Sequence, residues 1–196
     1  MKVVAFNGSP RKNGNTALLI NTVLEGLQRY EIQTELVQLG GQPVQGCLAC
    51  QQCRVNPTAR CAVSSDIIND CIAKMLGADG IIIGSPTYFA NLTTETKALL
   101  DRAGYATRGV GYLLKRKVGA AIVVARRAGS INVFNAINDF FLINQMIVPG
   151  SSYWNLGMGR EPGEAANDPE GLQTMETLAD NMAWALRKIT AGDFAS

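Results

Sequence analysis

Short apolar runs and amphipathic segments alternate along the chain from its first residues to nearly its last. Val3 to Phe6 is an unbroken apolar run of β character, which with Lys2 makes a first strand. Ala17, Ile20, Val23, Leu24 and Leu27 then recur at helical spacing, marking one face of a helix that begins near Thr16. Ile32 to Leu39 reads as a second strand, Ile67 to Leu76 as a helix and Gly80 to Ile83 as a third strand. The same logic predicts a helix over Thr93 to Ala103, a strand over Val118 to Val124 and a helix over Ser130 to Asn144. A strand over Met146 to Val148 and a closing helix over Glu170 to Ile189 complete the pattern. Continuous Val, Ile and Ala strands separated by helices predict a parallel sheet covered on both faces, with right-handed crossovers.

Five such βα units fit an α/β three-layer sandwich of flavodoxin-like type with strand order 2-1-3-4-5. In that architecture, ligands bind outside the carboxyl ends of the strands, at the switch point between strands one and three. The chain of 196 residues, 47% of them apolar, can bury one good core, so residues 1–196 are expected to form one domain, with residues 44–63 as a cysteine-rich insertion. A formal net charge of +2 with scattered basic residues shows neither a nucleic-acid footprint nor a membrane patch. The opening apolar run is too short for a signal segment and no run is long enough to span a bilayer, which predicts a cytoplasmic protein. The absence of histidine excludes a Ser-His-Asp triad, a Cys-His dyad and imidazole metal ligation together.

Three loops follow strands and are the candidate site. The first runs from Phe6 to Thr16. Gly8 and Gly14 let the backbone approach an anion, while Ser9, Asn13, Asn15 and Thr16 offer short donors and Arg11 a bidentate charge. The next helix aims its free N–H groups and positive dipole end at the same place. The loop is neither a Walker A motif nor the dinucleotide fingerprint Gly-x-Gly-x-x-Gly, and a flavin mononucleotide (FMN) phosphate fits it better; the competing reading is a polar βα turn with an ordinary helix cap. The second loop is Gly84 to Asn91. There Pro86 stiffens the turn, Thr87 to Phe89 can present backbone N–H groups to the polar edge of a flavin, and Tyr88 or Phe89 can form a wall. The competing reading is that the aromatics fill the top of the core. The third is Ala125 to Gly129, where Gly129 allows close approach and Arg126 or Arg127 can meet an anionic ring or a substrate; such a pair can equally be plain solvated charge.

The insertion carries Cys47, Cys50, Cys53 and Cys61 in the spacing C-x2-C-x2-C-x7-C. Overlapping C-x2-C steps wrap three thiolates around a compact centre and a fourth follows after a short loop, which suits a [4Fe–4S] cluster; zinc, and free or redox thiols, are the alternatives. Cys71 stands alone on an apolar helix face and reads as a core residue.

Taken together, GSPRKNGNT at Gly8 to Thr16, the cysteine run, GSPTYFANLT at Gly84 to Thr94 and KALLDR at Lys97 to Arg102 resemble the NADPH-dependent FMN reductase family, and within it the iron-sulfur flavoproteins. Gly150 to Asn155 and Gly159 to Glu161 are similar to that family's C-terminal pattern. The resemblance implies that Ser9, Arg11, Asn13, Gly14, Asn15 and Thr16 hold the FMN phosphate. It places Pro86, Thr87, Tyr88, Phe89 and Asn91 on the ring system, and Ala125, Arg126, Arg127 and Gly129 at the ring's other edge. Cys47, Cys50, Cys53 and Cys61 would carry the cluster. Relatives tend to have an acidic pair after the last cysteine, where this chain has Ser64-Ser65-Asp66 and a serine is free to cap the next helix. The function so implied is an FMN-dependent oxidoreductase with no catalytic side chain of its own, taking electrons from NAD(P)H, bound transiently, or from a ferredoxin, and giving them to a small-molecule acceptor. A redox sensor or electron carrier, and a plain FMN or quinone reductase without a cluster, are the alternative functions. A homodimer or homotetramer is expected, with Tyr153 and Trp154 as an aromatic patch able to close a neighbour's crevice.

Overall fold

Five parallel strands form the centre of the computed structural model, which describes residues 1–191. In chain order the elements are β1 Lys2–Asn7, α1 Asn15–Gln28, β2 Gln33–Gln38, α2 Gln52–Val55, α3 Ile68–Leu76 and β3 Gly80–Pro86. They continue with α4 Thr94–Arg108, β4 Val118–Ala125, α5 Ser130–Ile143, β5 Leu156–Met158, a 3-10 turn at Glu164–Asn167 and α6 Pro169–Ala191. The strand order is β2-β1-β3-β4-β5 with every pairing parallel, so the chain reverses its direction of travel between β1 and β3, as the alternation of apolar runs predicts.

The sheet is buried on both faces because its central strands have no polar face. Val4, Phe6, Ile81, Ile83, Ala121 and Val123 point to one side and pack with α3, α4 and α5. Val3, Ala5, Ile82, Ala120 and Ile122 point to the other and pack with α1 and α6. The two-residue alternation of a strand thus distributes one apolar run between two cores. At the edge, β2 keeps polar residues and partial exposure.

The expected fifth strand is displaced. Met146 to Val148 contributes only a single bridge, Ile147 to Val118, in which Gly119 N–H donates to the Ile147 carbonyl at 2.8 Å and Ile147 N–H to that of Lys117 at 3.0 Å. Pro149 then lacks the N–H that would continue a ladder. The chain leaves the sheet and returns as Leu156–Met158, paired with Val123 to Ala125. Gly157 leaves room there for the buried Leu19, whose Cδ1 a Cβ would meet at 2.4 Å. Tyr153 and Trp154 therefore precede the last strand rather than follow it.

Candidate functional site

Because all strands are parallel, the loops after β1, β3, β4 and β5 emerge at one end of the sheet. Between them lies a crevice of about 160 Å³ lined by Ser9, Arg11, Asn15, Thr16, Pro86, Thr87, Tyr88, Val124, Arg126, Gly159 and Arg160. It includes residues of all three loops singled out in the sequence, and a fourth loop, Gly159–Arg160, that the misplaced strand concealed. Once β5 is read as Leu156–Met158, the rule that sites follow strand ends finds it.

The first loop is held from beneath. Gly8 N–H donates to the Gly84 carbonyl at 2.8 Å, and a Cβ on Gly8 would lie 2.0 Å from Thr96 Oγ1 of α4 and 2.8 Å from the Gly84 carbonyl oxygen, so the loop sits this close to α4 and β3 only with glycine there. Gln38 supplies the main brace: its amide N–H donates to the carbonyls of Ser9 and Gly40, both at 2.7 Å, while its Oε1 accepts from Asn7 Nδ2 at 2.8 Å. Asn7 Oδ1 accepts in turn from Ser9 N–H at 3.1 Å. Neither residue stood out in the sequence, where a polar residue at the end of an edge strand reads as solvated.

Gly14 caps α1 in extended conformation without a side-chain cap, and among the described residues nothing accepts from the N–H groups of Asn15, Thr16 and Ala17. An uncapped helix end opening on a crevice ringed by Arg11, Arg126 and Arg160 is an anion site in both its donors and its charge. Arg11 Nη1 also donates to the Arg160 carbonyl at 3.1 Å, joining first and fourth loops. The fourth loop is fixed by the Glu164 carboxylate, which accepts from Arg160 N–H at 2.7 Å and Glu161 N–H at 3.0 Å; these backbone bonds lower its pKa.

Not every expected residue faces the crevice. Asn15 lines it, but its amide is engaged: Nδ2 donates to the Glu161 carbonyl at 2.8 Å and Oδ1 accepts from Ala165 N–H at 3.2 Å. The side chain thus fixes the fourth loop, leaving the backbone N–H of Asn15 as its free donor. Asn13 and Gly14 border a different surface hollow, along α1. In the second loop, Thr87 N–H donates to the Val124 carbonyl and Tyr88 N–H to that of Asn91, each at 2.8 Å, so two of the three backbone donors expected for a flavin edge serve the fold. Phe89 and Ala90 both take positive φ, 49° and 57°, forming a tight turn closed by reciprocal bonds between Tyr88 and Asn91, with Phe89 fully exposed at its tip. Non-glycine residues in left-handed conformation store strain, which concentrates at ligand-binding loops. Asn91 Oδ1 accepts from Leu92 N–H and does not line the crevice. Ala125 accepts from Gly159 N–H at 3.0 Å, Arg127 is exposed and outside the crevice, and Gly129, at φ 86°, packs against Ala90 and Thr87. Tyr153 and Trp154, in edge-to-face contact at 4.9 Å, lie in the connection before β5, beside a separate surface hollow, and not on the crevice.

FMN passes a direct test here. Besides the free helix N–H groups and the arginines, Thr87 Oγ1 is buried in the crevice wall with no hydrogen-bond partner among the described residues, a state that buried hydroxyls rarely keep.

A second cavity, of about 120 Å³, is lined by all four cysteines of the insertion together with Arg102 and Tyr105. Ala49 and Gln51 adopt left-handed conformations between the thiols, at φ 51° and 57°, so the chain coils around the cavity, and α2 adds one helical turn bearing Cys53. Ala49 N–H donates to Cys47 Sγ at 3.4 Å. Cys47 and Cys50 are exposed, Cys53 and Cys61 half-buried. Burial, reinforced by the neighbouring thiols, raises the pKa of Cys53. Among the described residues no three Cys, Asp or Glu side chains are grouped for a single metal ion. The four thiols do line one void, an all-sulfur donor set of the chemistry that iron–sulfur centres and structural zinc both use. Cys71 is buried in the core under α3, where burial pushes its thiol up to about 12.

Arg102 binds this segment to α4. Its side chain is wholly buried and pairs with Asp66, itself almost inaccessible, at 2.5 Å. Burial alone would raise the Asp66 carboxyl, but hydrogen bonds from Arg102 and from the N–H groups of Gln45 and Ile68 outweigh it and hold the carboxyl below its usual range. Asp66 also accepts from Ile68 N–H, the first residue of α3, at 3.1 Å, so the carboxylate rather than Ser64 or Ser65 serves the start of that helix. One helix serves both sites: just before α4, Thr93 Oγ1 donates to the Gly8 carbonyl at 2.9 Å beneath the crevice, and nine residues later Arg102 reaches the thiols.

Among the described residues no helix is long and apolar enough to cross a membrane. The model of the NADPH-dependent FMN reductase family matches residues 1–161. An iron-sulfur flavoprotein of Methanocaldococcus jannaschii is 35% identical over 196 residues, covering 96% of this chain and 99% of that protein. An iron-sulfur flavoprotein of Methanosarcina thermophila is 34% identical over 191 residues, covering 96% and 97%. Among solved structures, RosB with a bound flavin-derived intermediate superposes with a TM-score of 0.77 at 17% identity, over 100% of this chain and 82% of RosB. A WrbA-like flavodoxin from Agrobacterium tumefaciens gives 0.66 at 15% identity, over 95% and 97%. At such identities the structural likeness speaks for the fold.

Proposed function

The chain belongs to the NADPH-dependent FMN reductase family, which makes it an FMN-dependent oxidoreductase, and we propose that it couples the flavin to a [4Fe–4S] cluster on Cys47, Cys50, Cys53 and Cys61. The observation that carries this reading is the convergence of all four thiols on one cavity, in a chain whose strand ends already form an anion-binding crevice. A donor such as NAD(P)H or a ferredoxin would deliver electrons, and a small molecule would accept them.

The protein's part is to bind, orient and tune. The N–H groups of Asn15, Thr16 and Ala17, with Arg11 and Arg160, would hold the FMN phosphate. Pro86, Thr87 and Tyr88 would form the wall against the ring, and Arg126 would face its electron-rich edge, where a cation favours the reduced anion. When bound, the flavin supplies two-electron chemistry and the cluster one-electron chemistry. The crevice lining carries no carboxylate, lysine or histidine, and Arg11, Arg126 and Arg160 act as fixed charges. Assembly as a homo-oligomer is part of the proposal; the exposed Tyr153–Trp154 pair before β5 supports it as a contact between subunits rather than as a lid on the crevice.

Anaerobic purification followed by absorbance spectroscopy, flavin extraction and iron and sulfide analysis tests the reading. Flavin bands over a broad brown shoulder, with about four irons per chain, are expected for a cubane. Flavin without iron after anaerobic reconstitution would leave a plain flavin reductase, and neither would overturn both parts.

A further inference from the structure

Every hydrogen bond given by the Arg102 guanidinium goes to the segment that holds the cysteines. Nε donates to Cys61 Sγ at 3.3 Å, Nη1 to the Gln45 carbonyl at 2.9 Å and to Asp66 Oδ2 at 2.5 Å, and Nη2 to the Val63 carbonyl at 2.7 Å. Gln45 lies two residues before the first cysteine and Val63 two residues after the fourth, so one planar fork closes both ends of the loop. Anchoring alone would need only the contacts to Gln45, Val63 and Asp66. The Nε–H directed at a ligand sulfur is an additional feature, and it brings a fully buried cation against one of the four thiols.

We infer that Arg102 is a positioning residue that sets the reduction potential of the centre on the four cysteines, acting through Cys61, with Asp66 as the counter-charge that limits its effect. The inference rests on the cluster reading above. An electron delivered by the reduced flavin would add negative charge to such a centre, part of it on the thiolate sulfurs. A charged donor at Cys61 Sγ then binds the reduced form more strongly than the oxidised one, which raises the potential. Passing the electron on to the acceptor would reverse that change, and Arg102 would keep its proton throughout. Asp66 lies on the same guanidinium and cancels part of its field, so the two residues pull the potential in opposite directions.

The test is an EPR-monitored redox titration of anaerobically reconstituted parent, Arg102→Lys and Asp66→Asn proteins, with iron and sulfide measured in each. Lysine keeps the charge but has no fork with which to hold sulfur, carboxylate and two carbonyls together. Its equilibrium constant for one-electron reduction should fall about tenfold, equivalent to about 59 mV. Asp66→Asn removes the counter-charge while Arg102 stays, and should shift the potential upward. Opposite shifts are what an anchoring role would not produce. Unchanged potentials, or shifts of the same sign, in proteins that hold iron overturn the inference while leaving the cluster. Loss of iron in Arg102→Lys with an unmoved potential in Asp66→Asn reduces Arg102 to an anchor and overturns it as well. A parent that binds no iron removes both the inference and the reading beneath it.

Discussion

Replacing Gln38 with leucine tests whether the phosphate loop depends on its brace. The side chains are similar in size, so packing against β1 is largely kept, while three hydrogen bonds at 2.7, 2.7 and 2.8 Å are lost. At about 0.5–1.5 kcal/mol net for each bond, and with water replacing some of them at this half-buried site, the cost is about 1.5–3 kcal/mol. For a domain of this size each kcal/mol lowers the melting temperature by roughly 2–4 °C, giving a fall of about 3–12 °C. The lost bonds also free the Ser9 carbonyl, so the loop must be reordered when FMN binds. If half of the cost reappears in binding, affinity falls roughly three- to ten-fold. Differential scanning calorimetry of the apoprotein and fluorescence titration with FMN measure the two effects. A variant that melts with the parent and binds FMN as tightly would show that Ser9 is held by β1 alone, refuting the brace.

Arg11→Ala should weaken FMN binding about ten- to a hundred-fold, the loss of about 1.5–3 kcal/mol from a charge-assisted contact, and unchanged fluorescence quenching would place the phosphate elsewhere. Cys50→Ala should abolish bound iron and brown absorbance with FMN affinity unchanged, whereas Cys71→Ala should alter neither, because Cys71 is 1% exposed and outside the cysteine cavity. Asp66 has a lowered pKa in the fold, so its contribution is complete above the ordinary carboxylate value and is lost as pH falls through the folded one. The melting-temperature advantage of the parent over Asp66→Asn should therefore shrink on acidification below about pH 4, and an advantage that persists would contradict the pairing.

What the sequence disclosed, and what it hid, follows from how each signal arises. The central strands were legible because burial on both faces demands uninterrupted apolar residues, which few other segments of this chain supply. The fifth strand was not, because Met146 to Val148 has the composition of a strand while Leu156–Met158 is short and centred on a glycine. Pro149 was the available clue. The displaced strand hides that Gly159 and Arg160 follow a strand end, although the run Gly159 to Glu161 is itself visible in the sequence. The phosphate loop showed itself through glycines and small polar residues, but the role of Asn15 depends on Glu161 and Ala165, 146 and 150 positions away, and no local spacing encodes such a partner. Gln38 and Arg102 were obscured for the same reason. The four cysteines announced a shared centre by spacing, whereas the guanidinium that closes it came from a helix more than 40 residues later.

Thr93, the residue that caps α4 beneath the crevice, and Arg102, which reaches the Cys61 thiol, are joined by one continuous helical backbone. Those nine residues correspond to about 13 Å of axial rise and two and a half turns. The helix therefore sets a phase as well as a separation. Inserting or deleting one residue between Thr96 and Arg102 would rotate the guanidinium by about 100° about the helix axis while shifting it only about 1.5 Å along it. The flavin loop would keep its support, and the charge would swing away from Cys61. The stretch between these residues can change composition freely on its outer face, but its length is locked.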